Sequence, residues 1–205
     1  LVIFSSKTAL PKQGQTDTVY LLFLWNKGKV MDLNTKIFLK INGLIGKSKL
    51  LDSFGRAGAE WVIIAMMGWY IGAALIAKMP NKWLVFWCLA FLAAAWCVAW
   101  LIDLGMAFTV REPRPFVSLP AAKVLFKPFM SWKSFPSDHG MSAALIFFMA
   151  CVFGLPGTGA LGLMALWVGW GRVYAGVHYP LDILGGTAVA GLVAAIASAV
   201  VRYVF

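Results

Sequence analysis

The chain contains two histidines, His139 and His178, and each sits in a short polar run beside an apolar stretch. In Phe135-Pro136-Ser137-Asp138-His139-Gly140 the polar residues immediately precede an apolar run. Ser137 is thus placed to cap a helix, whose free first-turn N–H groups make an anion site. His139 lies at the edge of that site, where a proton donor serves a leaving oxygen; taken alone, the run also fits a plain helix cap with a histidine at the interface. In the run from Gly171 to Asp182, Arg172 stands six residues before His178 and Asp182 four after it. Pro180 suits the first turn of a helix. Asp182 near that N-terminus stays ionised and can accept the Nδ1 proton of His178, leaving Nε2 as a nucleophile. Arg172 falls near the boundary of an apolar helix, which is costly without a partner anion, although a snorkelling arginine is also consistent with that position.

A third cluster, Arg111-Glu112-Pro113-Arg114-Pro115, places prolines on both sides of Arg114. They stiffen the backbone and reduce the entropy lost when the guanidinium clamps phosphate oxygens. A basic loop drawn to anionic lipid would look the same in isolation. Together the clusters offer two arginines, a helix N-terminus, a nucleophile with its orienting carboxylate and a proton donor. Phosphoryl transfer needs those roles: neutralised equatorial oxygens, in-line attack and leaving-group protonation.

The elements that must hold these residues are membrane helices. The chain has 205 residues, 61% hydrophobic and 13% charged, with a mean hydropathy of +0.80. Apolar runs at 57–77, 83–106, 141–155, 158–177 and 183–205 predict an all-α, polytopic bundle of about five transmembrane helices. The segment from Met31 to Arg56, with Ile37, Ile41, Leu44 and Ile45 on one face and Lys36, Lys40 and Lys47 off it, predicts an N-terminal amphipathic segment at the interface or packed on the bundle, capped by Asn34 or Thr35. Residues 1–30 lack the order of a signal peptide and are read as an extension before a start at Met31, with 31–205 as one membrane domain. Alternating the five spans brings the end of the second, the start of the third and the junction of the fourth and fifth to one face. Both histidines lie there.

The formal charge of +10 points to anionic lipid headgroups, since a nucleic-acid reader needs a basic face on a soluble scaffold. Cys88, Cys97 and Cys151 lie in apolar runs without a CxxC spacing, so neither a disulfide framework nor a zinc site is indicated, and no cofactor is expected.

The three clusters resemble the motifs KxxxxxxRP, PSGH and SRxxxxxHxxxD of the type 2 phosphatidic acid phosphatase superfamily. Arg114 and Pro115 match the first, Pro136, Ser137 and His139 the second, and Arg172, His178 and Asp182 the third. The resemblance implies a metal-independent phosphatase in which His178 forms a phosphohistidine, Asp182 orients it, His139 protonates the leaving group, and Arg114, Arg172 and Ser137 bind phosphate. Three positions depart from the motifs: Ala107 for lysine, Asp138 for glycine and Gly171 for serine. Arg111, or one of Lys123, Lys127 and Lys133, is a candidate to replace the missing lysine, and Asp138 to tune His139 or handle a diphosphate. The forms Glu-Pro-Arg-Pro-Phe, Phe-Pro-Ser-Asp-His-Gly and Gly-Val-His-Tyr-Pro-Leu-Asp are most similar to the bacterial undecaprenyl-diphosphate phosphatases of the superfamily. That implies a multi-pass protein of the bacterial plasma membrane acting in cell-wall biogenesis, with membrane lipids around it, a lipid phosphate as substrate and its site facing outward. Counting lysines and arginines alone favours the opposite orientation, because Lys36, Lys40, Lys47, Lys49 and Arg56 share the motif side against Lys78, Lys82 and Arg202. Phosphatidic acid or phosphatidylglycerophosphate hydrolysis, phosphate transfer to another lipid, and an inactive lipid-binding scaffold are the alternatives.

Overall fold

The computed structural model describes residues 31–79, 81–128 and 133–204. The extension read at residues 1–30 lies outside them. The described residues contain α-helices, one π-helical turn and connecting loops, and no strand. In chain order the α-helices are α1 (Leu33–Asn42), α2 (Lys49–Arg56), α3 (Val62–Lys78), α4 (Lys82–Val110), the short α5 (Pro115–Ser118), α6 (Asp138–Val152), α7 (Thr158–Tyr174) and α8 (Pro180–Val204).

Three stretches are long and apolar enough to cross a membrane: Lys49–Lys78, Lys82–Ser118 and Pro180–Tyr203. The first joins α2 to α3 through the π-helical turn Ala57–Trp61, so the expected amphipathic segment runs directly into the first span. Helices α6 and α7 are shorter, at 15 and 17 residues, about 22 and 25 Å at the α-helical rise. Helix α6 is the axis of the bundle. Met141, Ala143, Leu145 and Met149 on it are fully buried against the other spans. The outward faces remain apolar, with Leu163, Leu166, Leu184, Leu192 and Ile196 exposed, as a lipid-facing surface requires.

Small residues let α6 and α8 meet closely at the motif end. A Cβ on Gly186 would stand 2.7 Å from the Ser137 carbonyl oxygen and 2.9 Å from the Met141 nitrogen, too close for any other residue without a shift. Helix α1 packs on the bundle through Phe38 and Asn42, both buried, while Ile37 is exposed; the buried face is one residue round from the expected stripe. Its cap is Asp32, whose Oδ1 accepts the Thr35 N–H at 2.7 Å, in place of the expected Asn34 or Thr35. Asn42 reads as polar in sequence, yet its Nδ2 donates to the carbonyls of Lys123 and Tyr174 at 2.9 and 3.0 Å and its Oδ1 accepts the Lys123 N–H at 2.8 Å. This ties the loop after α5 to the end of α7. Helix α4 runs to Val110, one turn past the expected end of the second span.

Candidate active site

Each motif cluster occupies the end of a bundle helix. Arg111 caps α4 in the left-handed conformation at φ 49°, and its Nε donates to the Phe108 carbonyl at 3.0 Å, so its side chain follows its own helix. Arg114, only 3% exposed, initiates α5. Its Nη1 donates to the Val177 carbonyl at 3.0 Å and to Nε2 of His178 at 3.2 Å.

That second contact sets the tautomer. A guanidinium has no acceptor, so Nε2 accepts and the neutral ring carries its proton on Nδ1. Nδ1 lies 3.3 Å from Oδ2 of Asp182. The same Oδ2 accepts the Ser134 hydroxyl at 2.5 Å and the Tyr179 N–H at 2.8 Å, which locks the carboxylate that orients the imidazole. Burial, followed by the charges of Arg172 and Arg114, holds His178 well below the ordinary histidine range. It is therefore neutral at physiological pH, as a nucleophile must be.

Ser137 is buried and caps α6, its Oγ accepting the Gly140 N–H at 3.3 Å. Its own N–H donates to the Asp182 carbonyl at 3.1 Å, so the second and third clusters are joined by backbone. Arg172, 4% exposed, donates from Nη1 to the Ala59 carbonyl at 3.1 Å and stands 5.7 Å from the centre of the Phe126 ring. A cavity of about 330 Å³ opens between these helices. Arg114, His139 and Arg172 line it together with Asp138, Glu60 and Lys127. Lys133, 2% exposed, lies behind Asp138, bonding its Oδ1 at 2.6 Å.

The departure at Gly171 has a steric cause. A Cβ there would meet the Ala59 nitrogen at 2.7 Å and the Gly58 carbonyl carbon at 2.8 Å, because the π-helical turn passes directly over α7. That turn also supplies the carbonyl that receives Arg172. Glu60, Ser134 and Asp103 lie near the motif clusters without being part of the motifs themselves. Glu60 and Asp103 were detectable as charges within apolar runs; Ser134 had no signal, since its role depends on where Asp182 lies.

The PAP2 superfamily model matches residues 83–205, and the chain belongs to this superfamily of lipid phosphatases. Undecaprenyl-diphosphatase BcrC of Bacillus subtilis is 31% identical over 77% of this chain and 79% of its own length. Decaprenylphosphoryl-5-phosphoribose phosphatase of Mycobacterium tuberculosis is 34% identical, covering 77% of this chain and 81% of its own. Among solved structures, Aquifex aeolicus LpxE superposes with a TM-score of 0.61 at 25% identity, covering 82% of this chain and 95% of that one. The family confirms the expected all-α membrane phosphatase fold.

Proposed function

We propose that the chain hydrolyses a polyprenyl diphosphate, with undecaprenyl diphosphate to undecaprenyl phosphate as the reaction, through a phosphohistidine on His178 and without a metal. The observation that carries this is the placement of the His178 ring between Asp182 at Nδ1 and Arg114 at Nε2, with His139 on the wall of the adjoining cavity. The relatives named for polyprenyl substrates support the substrate class.

In the first step the terminal phosphate takes the guanidinium of Arg114 away from Nε2. The freed lone pair attacks phosphorus while the bond to the bridging oxygen breaks. His139, which takes up a proton once the anionic phosphate offsets Arg114 and Arg172, gives that proton to the departing lipid phosphate, while the two arginines neutralise the equatorial oxygens. In the second step His139 takes a proton from water as it attacks the phosphohistidine, and the P–N bond breaks to release inorganic phosphate. Asp182 stabilises the charged ring between the steps.

An apolar cavity of about 630 Å³ lies along the same helices, with Ile63, Met67 and Ile71 on α3 and Ser142 and Ile146 on α6. It begins one turn beyond Glu60 and His139, so a lipid tail has apolar walls next to the phosphate site. The site faces outward across the plasma membrane in this proposal.

Phosphate release by the purified protein in detergent with EDTA, comparing undecaprenyl diphosphate, phosphatidic acid and phosphatidylglycerophosphate, tests the substrate. The diphosphate is expected to give the highest kcat/KM. Full activity in a His178→Ala variant would overturn the mechanism, and a requirement for an acceptor lipid would mark a phosphotransferase.

A further inference from the structure

A second charged cluster lies behind the cavity wall. Lys133 is 2% exposed, and its ammonium bonds Asp138 at 2.6 Å. Asp103, in the interior of α4, is fully buried, and among the described residues neither of its carboxylate oxygens has a hydrogen-bond partner. The charges of Asp138 and Lys133 both act on it. Burial of such a carboxyl in an apolar helix is offset either by a nearby cation or by retention of its proton. The Ser134 N–H donates to the Glu112 carbonyl at 2.8 Å, which fixes the backbone next to Lys133 beside the end of α4.

Asp138 lines the phosphate cavity and its side chain is 24% exposed, so its carboxylate can stay hydrated if the ammonium leaves it. Lys133 has no such access to solvent. Charge also leaves a deficit at the wall: Arg114, Arg172 and the exposed Lys127 stand against Asp138 and Glu60, a surplus of one positive charge before a phosphate carrying more than one negative charge enters. The other basic candidates are committed elsewhere or lie at the surface. Arg111 bonds Phe108, Lys123 donates from Nζ to the Ile45 carbonyl at 3.0 Å, and Lys127 is exposed on the rim.

We infer that Lys133 is a third phosphate-binding cation, stored on Asp138 and transferred to an oxygen of the bound phosphate. This rests on the phosphate site proposed above. The exchange moves a hydrogen bond and breaks no covalent bond. Lys133 touches substrate.

The test uses the full chain in detergent and inorganic phosphate as the probe, measured by equilibrium binding and by inhibition of lipid-phosphate hydrolysis. Lys133→Met is expected to weaken phosphate binding about 10- to 100-fold, the loss of one charge-assisted hydrogen bond. If Lys133→Met is misfolded because Asp138 is left unpaired, the charge-balanced Lys133→Met/Asp138→Asn variant replaces it, and it too is expected to bind phosphate weakly. Parent-like phosphate binding in either of these variants overturns the inference and leaves Lys133 as a neutralising partner of Asp138. Because phosphate binding needs no turnover, a parent protein that binds phosphate yet hydrolyses none of the lipids would count against the proposed reaction alone.

Discussion

Two carboxylates, Asp182 and Asp103, are equally and completely buried, yet they are treated in opposite ways. Asp182 begins a helix, and its Oδ2 receives Ser134, the Tyr179 N–H and the His178 ring. Asp103 lies well inside a long apolar helix with neither oxygen bonded among the described residues. The first arrangement fixes one geometry, because several donors converge on one oxygen and none can move without stranding the others. The second imposes no such constraint, since neither oxygen is tied to a donor among the described residues.

Substitution at the two positions separates these roles most strongly. Asp182→Asn keeps the shape but takes away the charge that selects the Nδ1–H tautomer and stabilises the charged ring. Phosphate release is expected to fall by about 10³- to 10⁴-fold, by analogy with the serine-protease aspartate. Asp103→Asn is expected to cost less than about tenfold in kcat/KM, since it leaves the nucleophile and its orienting carboxylate alone. Equal losses at the two sites would erase the contrast. Steady-state kinetics on both variants measures it.

The pH response sharpens the same comparison. Because burial and two arginines depress His178, kcat/KM should show no loss from His178 protonation as pH falls through the ordinary histidine range near 6.5. The sign for stability is the reverse. The unfolded chain takes up that proton near 6.5 while the folded chain does not, so the contribution is fully present above 6.5 and declines as pH falls towards the depressed value. Thermal unfolding in detergent between pH 8 and 5 records it. A histidine with an ordinary folded pKa would give an acid limb near 6.5 and no such decline.

The smallest expected effect concerns the backbone beneath Arg172. Gly171→Ser restores the residue of the family motif but pushes a Cβ into Ala59 and Gly58. It is expected to lower stability by about 1–3 kcal/mol through overpacking, read as a drop in melting temperature, with no gain in phosphate affinity. A tighter-binding Gly171→Ser protein would show that the π-helical turn yields readily.

Much of the site was legible before the fold. Arg172, His178 and Asp182 sit within one short segment, where helix geometry dictates that a histidine just before a helix meets a carboxylate in its first turn. Ser137 and His139 were equally local. The apolar runs determined the number of bundle helices, because a chain in lipid has little choice but helix. The boundaries were less legible: α2 runs on into the first span, and α4 outlasts its apolar run because Ala107 to Val110 continue its hydrogen bonding.

What the amino-acid order determined by itself was the medium, the helical class and the pairing of His178 with Asp182, since each depends on neighbours in the chain. Only the tertiary structure decided that Ser134 locks Asp182, that Arg114 rather than Arg111 reaches His178, that Gly171 lies under a π-helical turn, and that Lys133 and Asp103 share one buried cluster. Those contacts join residues from different helices, and their existence depends on how closely the helices pack and at what register, quantities set by small residues such as Gly171 and Gly186 acting across the bundle.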